Sequence, residues 1–401
     1  MKKTNKKAGE MWHRWSSRIF VLLILPFFCH VSSAQQSEPL IKGVTGAEQK
    51  AIAKLGEDFR RKFDLPGVSL AMSYRGKLKL VACFGYADKE QKVTVEPKHQ
   101  FRVASVSKPI TSVTVLKLVQ QKKLSLNDSV FGEEGHLRDL LKDNVTDPQQ
   151  KEWVESITVR QLLQHTAGGW TNKKGDLPMF AKPALGMKHP ELIAWTLQNI
   201  PLKTKPGTAY AYSNFGYCLL GRIIEEVTEK TYEEAVKELV LVPAGANATH
   251  IGGRTREMKL PDEVIYYSKY DPYALNMDVA RMDSHGGWVS TPTDLVRFVQ
   301  CVDGFSHPRD ILRKSTLKTM TKSPFGGYAL GWSVNEPDNW WHGGSFKGGT
   351  AFMVRASDGH CWAVLVNTRP ADDGYRAALD QFPWAVKKAV RKWGKHDLFR
   401  E

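Results

Sequence analysis

Ser105 and Lys108 stand three residues apart, where a short strand-like run, 100–103, gives way to an apolar helical one. Residues i and i+3 of a helix share a face, so the hydroxyl and the amine come within hydrogen-bond reach. A serine hydroxyl is a poor nucleophile until a neighbour takes its proton, and a desolvated lysine does so once its pKa falls from about 10.4 toward neutrality. One S-x-x-K is expected by chance in a chain of 401 residues, so the pair needs support from elsewhere. Tyr212-Ser213-Asn214 and His342-Gly343-Gly344 are the polar clusters that supply it.

Periodicity gives the elements that must position these groups. Ile52, Leu55, Phe59 and Phe63 have helical spacing, and Leu65-Pro66-Gly67 ends that run. Segments 68–74 and 77–86, joined by Arg75-Gly76, read as a β-hairpin, and a strand over 100–103 delivers the chain to Ser105. From Val106 to Val119 the helix is apolar nearly all round, which predicts burial in the middle of the molecule; Pro109 requires it to begin close to Ser105. Residues 126–320 look mainly helical, with helices expected over 158–164, 191–199, 215–228, 231–240 and 293–302. Strands return over 328–334, 349–355 and 361–367, with the His342 cluster lying ahead of the second. A last helix gathers Phe382, Val386, Ala389, Val390 and Trp393 on one face, closed by Gly394, and reads better as cover for a sheet than as a membrane-surface helix.

Strands at both ends of the chain with helices between them predict an α+β fold. One antiparallel sheet is built from 47–125 and 321–395 and flanked by terminal helices, a mainly helical insertion occupies 126–320, and a site lies in the cleft between the two parts.

The first residues differ in kind. Six Lys/Arg precede the apolar run 19–28 and Ser32-Ser33-Ala34 follow it, the order of a secretory signal peptide, 1–34, cleaved after Ala34. The apolar stretch is shorter than the roughly 20 residues that span a bilayer, so contact with a membrane is expected only if the segment stays uncleaved. A secreted or periplasmic location follows, with 35–46 as a linker and 47–395 as the domain. The net charge, +15 for the chain, is dispersed and not gathered into a basic run interleaved with aromatics, so it is no nucleic-acid footprint. Cys83, Cys218, Cys301 and Cys361 are widely separated and suit one or two disulfides or buried thiols. No Cys/His spacing resembles a zinc site, and no metal or cofactor is implied.

With these clusters in order, the chain resembles the serine β-lactamase and penicillin-binding superfamily. Within it, the chain looks like the branch related to class C β-lactamases, D-alanyl-D-alanine carboxypeptidases and S-x-x-K esterases. The family's S-x-x-K, Y-x-N and K-T-G or H-x-G signatures read here Ser105-Val106-Ser107-Lys108, Tyr212-Ser213-Asn214 and His342-Gly343-Gly344. Leu162 to Gly169, Pro206-Gly207 with Tyr212 to Gly221, and Gly286 to Leu295 resemble further family blocks, and the likeness runs from about 47 to 395.

The resemblance implies a β-lactamase/transpeptidase-like fold and a metal-independent hydrolase. Ser105 forms an acyl-enzyme with an ester, amide or peptide substrate; Lys108 and Tyr212 share its proton, the lysine cation lowering the phenol's pKa from about 10 so that Tyr212 serves as base. Asn214 bonds Lys108 or a substrate amide, and His342, Gly343 and Gly344 line the substrate. The oxyanion donors are the Ser105 N–H and a late-strand N–H near Lys347 to Gly349 or beside His342.

Histidine at 342, mostly neutral at pH 7, holds a substrate carboxylate less firmly than a lysine, which favours esterase, amidase or peptidase relatives over a true β-lactamase or D-Ala-D-Ala carboxypeptidase. Trp332, Trp340 and Trp341 are candidates for an acyl pocket or, more simply, for core. His165 and His285 read as structural. The competing class is a non-catalytic ligand-binding or self-associating protein of the same fold.

Overall fold

The alternating segments at the two ends of the chain meet in one antiparallel sheet. In order, β1 (Leu40–Lys42), α1 (Gly46–Lys62), β2 (Gly67–Tyr74), β3 (Lys77–Asp88), β4 (Val93–Thr94) and β5 (Phe101–Arg102) lead to a 3₁₀ turn, Ala104–Val106, that opens directly into α2 (Ser107–Gln120). Then come α3 (Pro148–Glu155), α4 (Val159–Leu163), α5 (His189–Asn199), α6 (Asn214–Thr228), α7 (Tyr232–Val236), α8 (Val242–Ala244), β6 (His250–Ile251), α9 (Asp283–Gly286), β7 (Trp288–Ser290), α10 (Pro292–Gln300) and α11 (Lys314–Met320). The chain finishes with β8 (Ser333–Asn335), β9 (Asn339–Phe346), β10 (Gly349–Arg355), β11 (His360–Val366) and α12 (Tyr375–Ala389). This computed structural model describes residues 38–141, 144–274, 278–336 and 338–401, so the expected signal segment 1–34 lies outside the described residues.

The strand order is β1-β3-β2-β11-β10-β9-β8, with β4 added to β3. β2 and β11, from opposite ends of the chain, are neighbours with Val68 opposite Val366 and Tyr74 opposite His360. Both faces of this central pair are covered, which is why β11 is apolar along most of its length and buried throughout. On one face α1 and α12 pack through Phe59, whose ring stacks on Phe382 at 4.8 Å. The other face meets α10 and the core that surrounds α2, whose side chains are buried on all sides as its composition predicts.

Four boundaries differ from the sequence reading. Residues 40–42 are not linker: they form β1 and pair with β3, Leu40 opposite Cys83. Trp341 to Gly344 do not precede a strand but lie inside β9, while 328–332 is not strand. Helix α10 belongs to the sheet layer and not to the insertion, because Leu295, Val296, Phe298 and Val299 are buried in the core that meets β2 and β11. The last helix stops at Ala389, and the segment beyond it returns to the sheet: Leu398 N–H donates to Leu78 O at 3.0 Å, and Lys79 Nζ donates to Gly394 O at 2.8 Å and His396 O at 2.6 Å.

Cys83, Cys218, Cys301 and Cys361 are free and buried, with no disulfide among the described residues. Among the described residues no helix is long and apolar enough to cross a membrane.

Candidate active site

The turn carrying Ser105 is held from three sides. β5 pairs with β7 (Phe101 opposite Ser290), and Val103 N–H donates to Trp288 O at 2.9 Å. Ala104 then takes a positive φ of 47°, a left-handed conformation costly for a residue with a Cβ, and reverses the chain into α2. β9 passes so close that a Cβ on Gly344 would lie 2.0 Å from Val103 O and 3.2 Å from Ser105 N. Glycine is therefore required at 344 by close approach. A Cβ on Gly343 would point the other way, toward Phe352 at 3.4 Å, so only the second glycine of the cluster faces the serine.

Lys108 lies one turn further along and is fully buried. Its Nζ contacts Ser105 Oγ at 3.1 Å, Asn214 Oδ1 at 2.8 Å and the backbone oxygen of His285 at 2.9 Å. No carboxylate pairs with it among the described residues, and burial alone pushes its pKa well below 10.5. A shift in this direction is what a lysine needs in order to serve as a base.

Tyr212 and Asn214 reach Lys108 because the segment 165–170 is a template for the loop before α6. Ala211 N–H donates to His165 O at 2.7 Å, Ser213 N–H to His165 Nδ1 at 3.1 Å, and Ser213 Oγ to Trp170 O at 2.6 Å. The same Ser213 Oγ caps α6 by accepting from Gly216 N–H at 2.9 Å, which sets Asn214 as the first helical residue. The Tyr212 side chain lies beside Ser105, and Lys108 Nζ sits 4.9 Å from the centre of its ring. Burial raises the Tyr212 pKa, the opposite of the lowering by a nearby cation expected from sequence.

His342 is buried on β9. Its Nδ1 faces Gly343 O at 2.8 Å, an acceptor, so Nδ1 carries the proton and Nε2 accepts from Tyr328 O–H at 3.1 Å. Burial first, and Lys108 second, lower its pKa to about 3. The imidazole is neutral, as its residue type suggested, and both its nitrogens are already engaged.

His165, read as structural, packs its ring 4.3 Å from that of Tyr212 and 4.8 Å from that of Tyr328, so it supports the tyrosines of the site. Trp332 and Trp340 are core residues, and Trp341 packs toward α1 and α12; they form no acyl pocket. Tyr328 and the His285 carbonyl are the contacts that sequence reasoning missed. No motif marks a carbonyl, which every residue carries.

Sheet, buried S-x-x-K helix and facing Tyr-Ser-Asn loop define the serine β-lactamase and penicillin-binding class. The Beta-lactamase family profile matches residues 52–382, and the chain belongs to that family. Among curated proteins it is 26% identical over 328 residues to protein flp of Staphylococcus aureus (strain N315), covering 78% of this chain and 61% of that one. It is 25% identical over 370 residues to penicillin-binding protein 4* of Bacillus subtilis (strain 168), covering 83% and 74%. The chain thus spans about 61% of the length of the flp proteins it matches. Among solved structures, D-amino acid amidase from Ochrobactrum anthropi SV3 complexed with D-phenylalanine superposes with a TM-score of 0.68 at 22% identity, over 86% of this chain and all of that one. The octameric penicillin-binding protein homologue from Pyrococcus abyssi superposes at 0.65 and 24% identity, over 84% and 77%. These two likenesses concern the fold.

Proposed function

We propose that the protein is an exported serine hydrolase that cleaves an ester, amide or peptide bond through a Ser105 acyl-enzyme. The observation that carries this reading is the Lys108 amine: fully buried, without a carboxylate partner among the described residues and 3.1 Å from Ser105 Oγ. The neutral amine takes the Ser105 proton as Oγ attacks the carbonyl carbon. Charge on the carbonyl oxygen is met by the Ser105 N–H and by a β9 N–H beside Gly344, that of Ser345; one such donor is worth about 3 to 4 kcal/mol in other serine hydrolases. Lys108 then gives this proton to the departing oxygen or nitrogen, with the Tyr212 hydroxyl beside Ser105 orienting the leaving group. In the second half water attacks the acyl carbon, returns its proton along the same path and restores Ser105.

Neutral His342, with both nitrogens engaged, offers no formal charge to a substrate carboxylate, which supports uncharged ester and amide substrates. A second reading, a β-lactamase or D-Ala-D-Ala carboxypeptidase, is favoured by Arg376 at the start of α12, whose positive charge acts on both Tyr212 and His342. The experiment is a panel of p-nitrophenyl ester, D-amino acid amide and β-lactam, run with wild type, Ser105→Ala and Arg376→Ala. The first reading expects Ser105-dependent turnover of ester or amide that Arg376→Ala leaves within about threefold. β-Lactam turnover lost in Arg376→Ala favours the second, and no Ser105-dependent turnover or labelling at all favours a non-catalytic protein.

Export rests on residues 1–34. Sequencing of the secreted protein is expected to begin at Gln35; retention of the full chain in the cytoplasm refutes it.

A further inference from the structure

A neutral lysine amine has two hydrogens and one lone pair. Around Lys108 Nζ stand three groups, and only Ser105 Oγ brings a hydrogen of its own to give; Asn214 Oδ1 and His285 O can only accept. If those two oxygens take the two hydrogens, the lone pair is left facing the serine. The base is therefore aimed by its acceptors, and one of them is a main-chain carbonyl on α9, a helix of four residues. What fixes α9 decides where the amine points.

α9 is pinned between α2 and α6. On the α2 side two successive carbonyls land on residues three apart: Ser284 O accepts from Thr111 Oγ1 at 2.5 Å and His285 O from Lys108 Nζ. On the α6 side Arg222 Nη2 donates to Asp283 Oδ2 at 2.6 Å, a pair whose side chains are 8% and 10% exposed. Asp283 Oδ1 in turn accepts from Ser284 Oγ at 2.8 Å. Gly221 permits the approach, since a Cβ there would lie 2.6 Å from Ser284 Oγ. Arg222 also donates to Glu225 at 3.1 Å and faces His189, so it is held on α6 at several points. The helix that begins with Asn214 thus supplies one acceptor of the Lys108 amine directly and anchors the other.

We propose that the buried Arg222–Asp283 ion pair is a positioning device for the reaction: by fixing α9 it places the His285 carbonyl that, together with Asn214, turns the Lys108 amine toward Ser105. The inference rests on the hydrolase reading above. Neither residue touches substrate; both act through Lys108.

The test measures the maximal phosphonylation rate and the apparent affinity of a fluorophosphonate probe with the full chain. Wild type, Ser105→Ala, Asp283→Asn and the milder Arg222→Lys are compared, each with its melting temperature. Asp283→Asn is expected to lower the maximal rate about ten- to a hundredfold, and Arg222→Lys about three- to tenfold, while apparent affinity stays within about twofold, because misaiming a catalytic group by a fraction of an ångström acts on the rate and not on binding. Folded variants that label at the wild-type rate overturn the inference, even if their melting temperatures fall, since a purely structural pair would behave so. Loss of affinity at an unchanged maximal rate overturns it too. Equal labelling of wild type and Ser105→Ala instead removes the hydrolase reading, and this inference with it.

Discussion

Replacing Gly344 with alanine tests whether β9 is a wall of the site. Neither Gly343 nor Gly344 has a positive φ, so alanine suits the backbone at both positions and the outcome is decided by space alone. At 344 the new methyl would lie 2.0 Å from Val103 O and 3.2 Å from Ser105 N. The obstacle is main chain on both sides, and no rotamer change relieves it. β9 must retreat from the serine turn by about 1 Å, and displacements of that size cost on the order of a hundredfold in rate. The retreat also opens the gap between the two oxyanion donors, a loss of roughly 10²- to 10³-fold for a single donor, while overpacking typically costs about 1 to 3 kcal/mol of stability. The expectation is a fluorophosphonate labelling rate reduced about 10²- to 10³-fold in a protein that still folds. Gly343→Ala is the control, because its methyl meets only Phe352 at 3.4 Å and should leave the rate within about threefold. Labelling of Gly344→Ala at a near-wild-type rate, or equal damage from both substitutions, refutes the argument.

Three further outcomes follow from the charges. The Lys108 pKa is depressed by burial, so between that value and 10.5 the unfolded chain binds the extra proton and folding gains stability as pH rises. Thermal melts from pH 6 to 10 should therefore show wild type gaining on Lys108→Met with rising pH, and a constant difference would contradict the buried amine. Tyr212→Phe removes the hydroxyl beside Ser105 and should slow acylation about 10²- to 10⁴-fold, measured by the same probe. His342 is held neutral down to about pH 3, so labelling between pH 5 and 8 should show no step that disappears in His342→Gln.

Much of the frame was legible because it is written in periodicity and in motifs. An α2 apolar nearly all round announced a buried helix, Pro109 placed its start, and the late strand-like runs of β10 and β11 announced a sheet closed by both chain ends. α10 was misassigned for a physical reason: helical spacing reports a buried face but not which layer covers it. β1 is three residues long, too short for any period to register. The motifs led to Ser105, Lys108, Tyr212 and Asn214, which the fold brings together. Charge reasoning from sequence failed at Tyr212, where a nearby cation was expected to lower the phenol's pKa, because the desolvation that raises it depends on burial that no local pattern encodes. His342 was correctly expected to be neutral, but its engagement by Tyr328 joins residues 14 apart across a turn and left no mark in the sequence.

The return of residues 394–398 to β3 bears on how copies of the molecule behave in solution. β3 spends its outward hydrogen-bonding groups on three short segments in succession: the terminal segment at Leu78, β1 from Val81 to Cys83, and β4 from Tyr86. No long bare margin is left there for a neighbouring molecule to pair with. Cutting the chain after α12 would remove none of the partners of Ser105 and Lys108 yet would strip Leu78 and Lys79 of theirs, creating an adhesive strip. A tag joined at Glu401 sits beside that strip, so a spacer before it protects solubility more than activity.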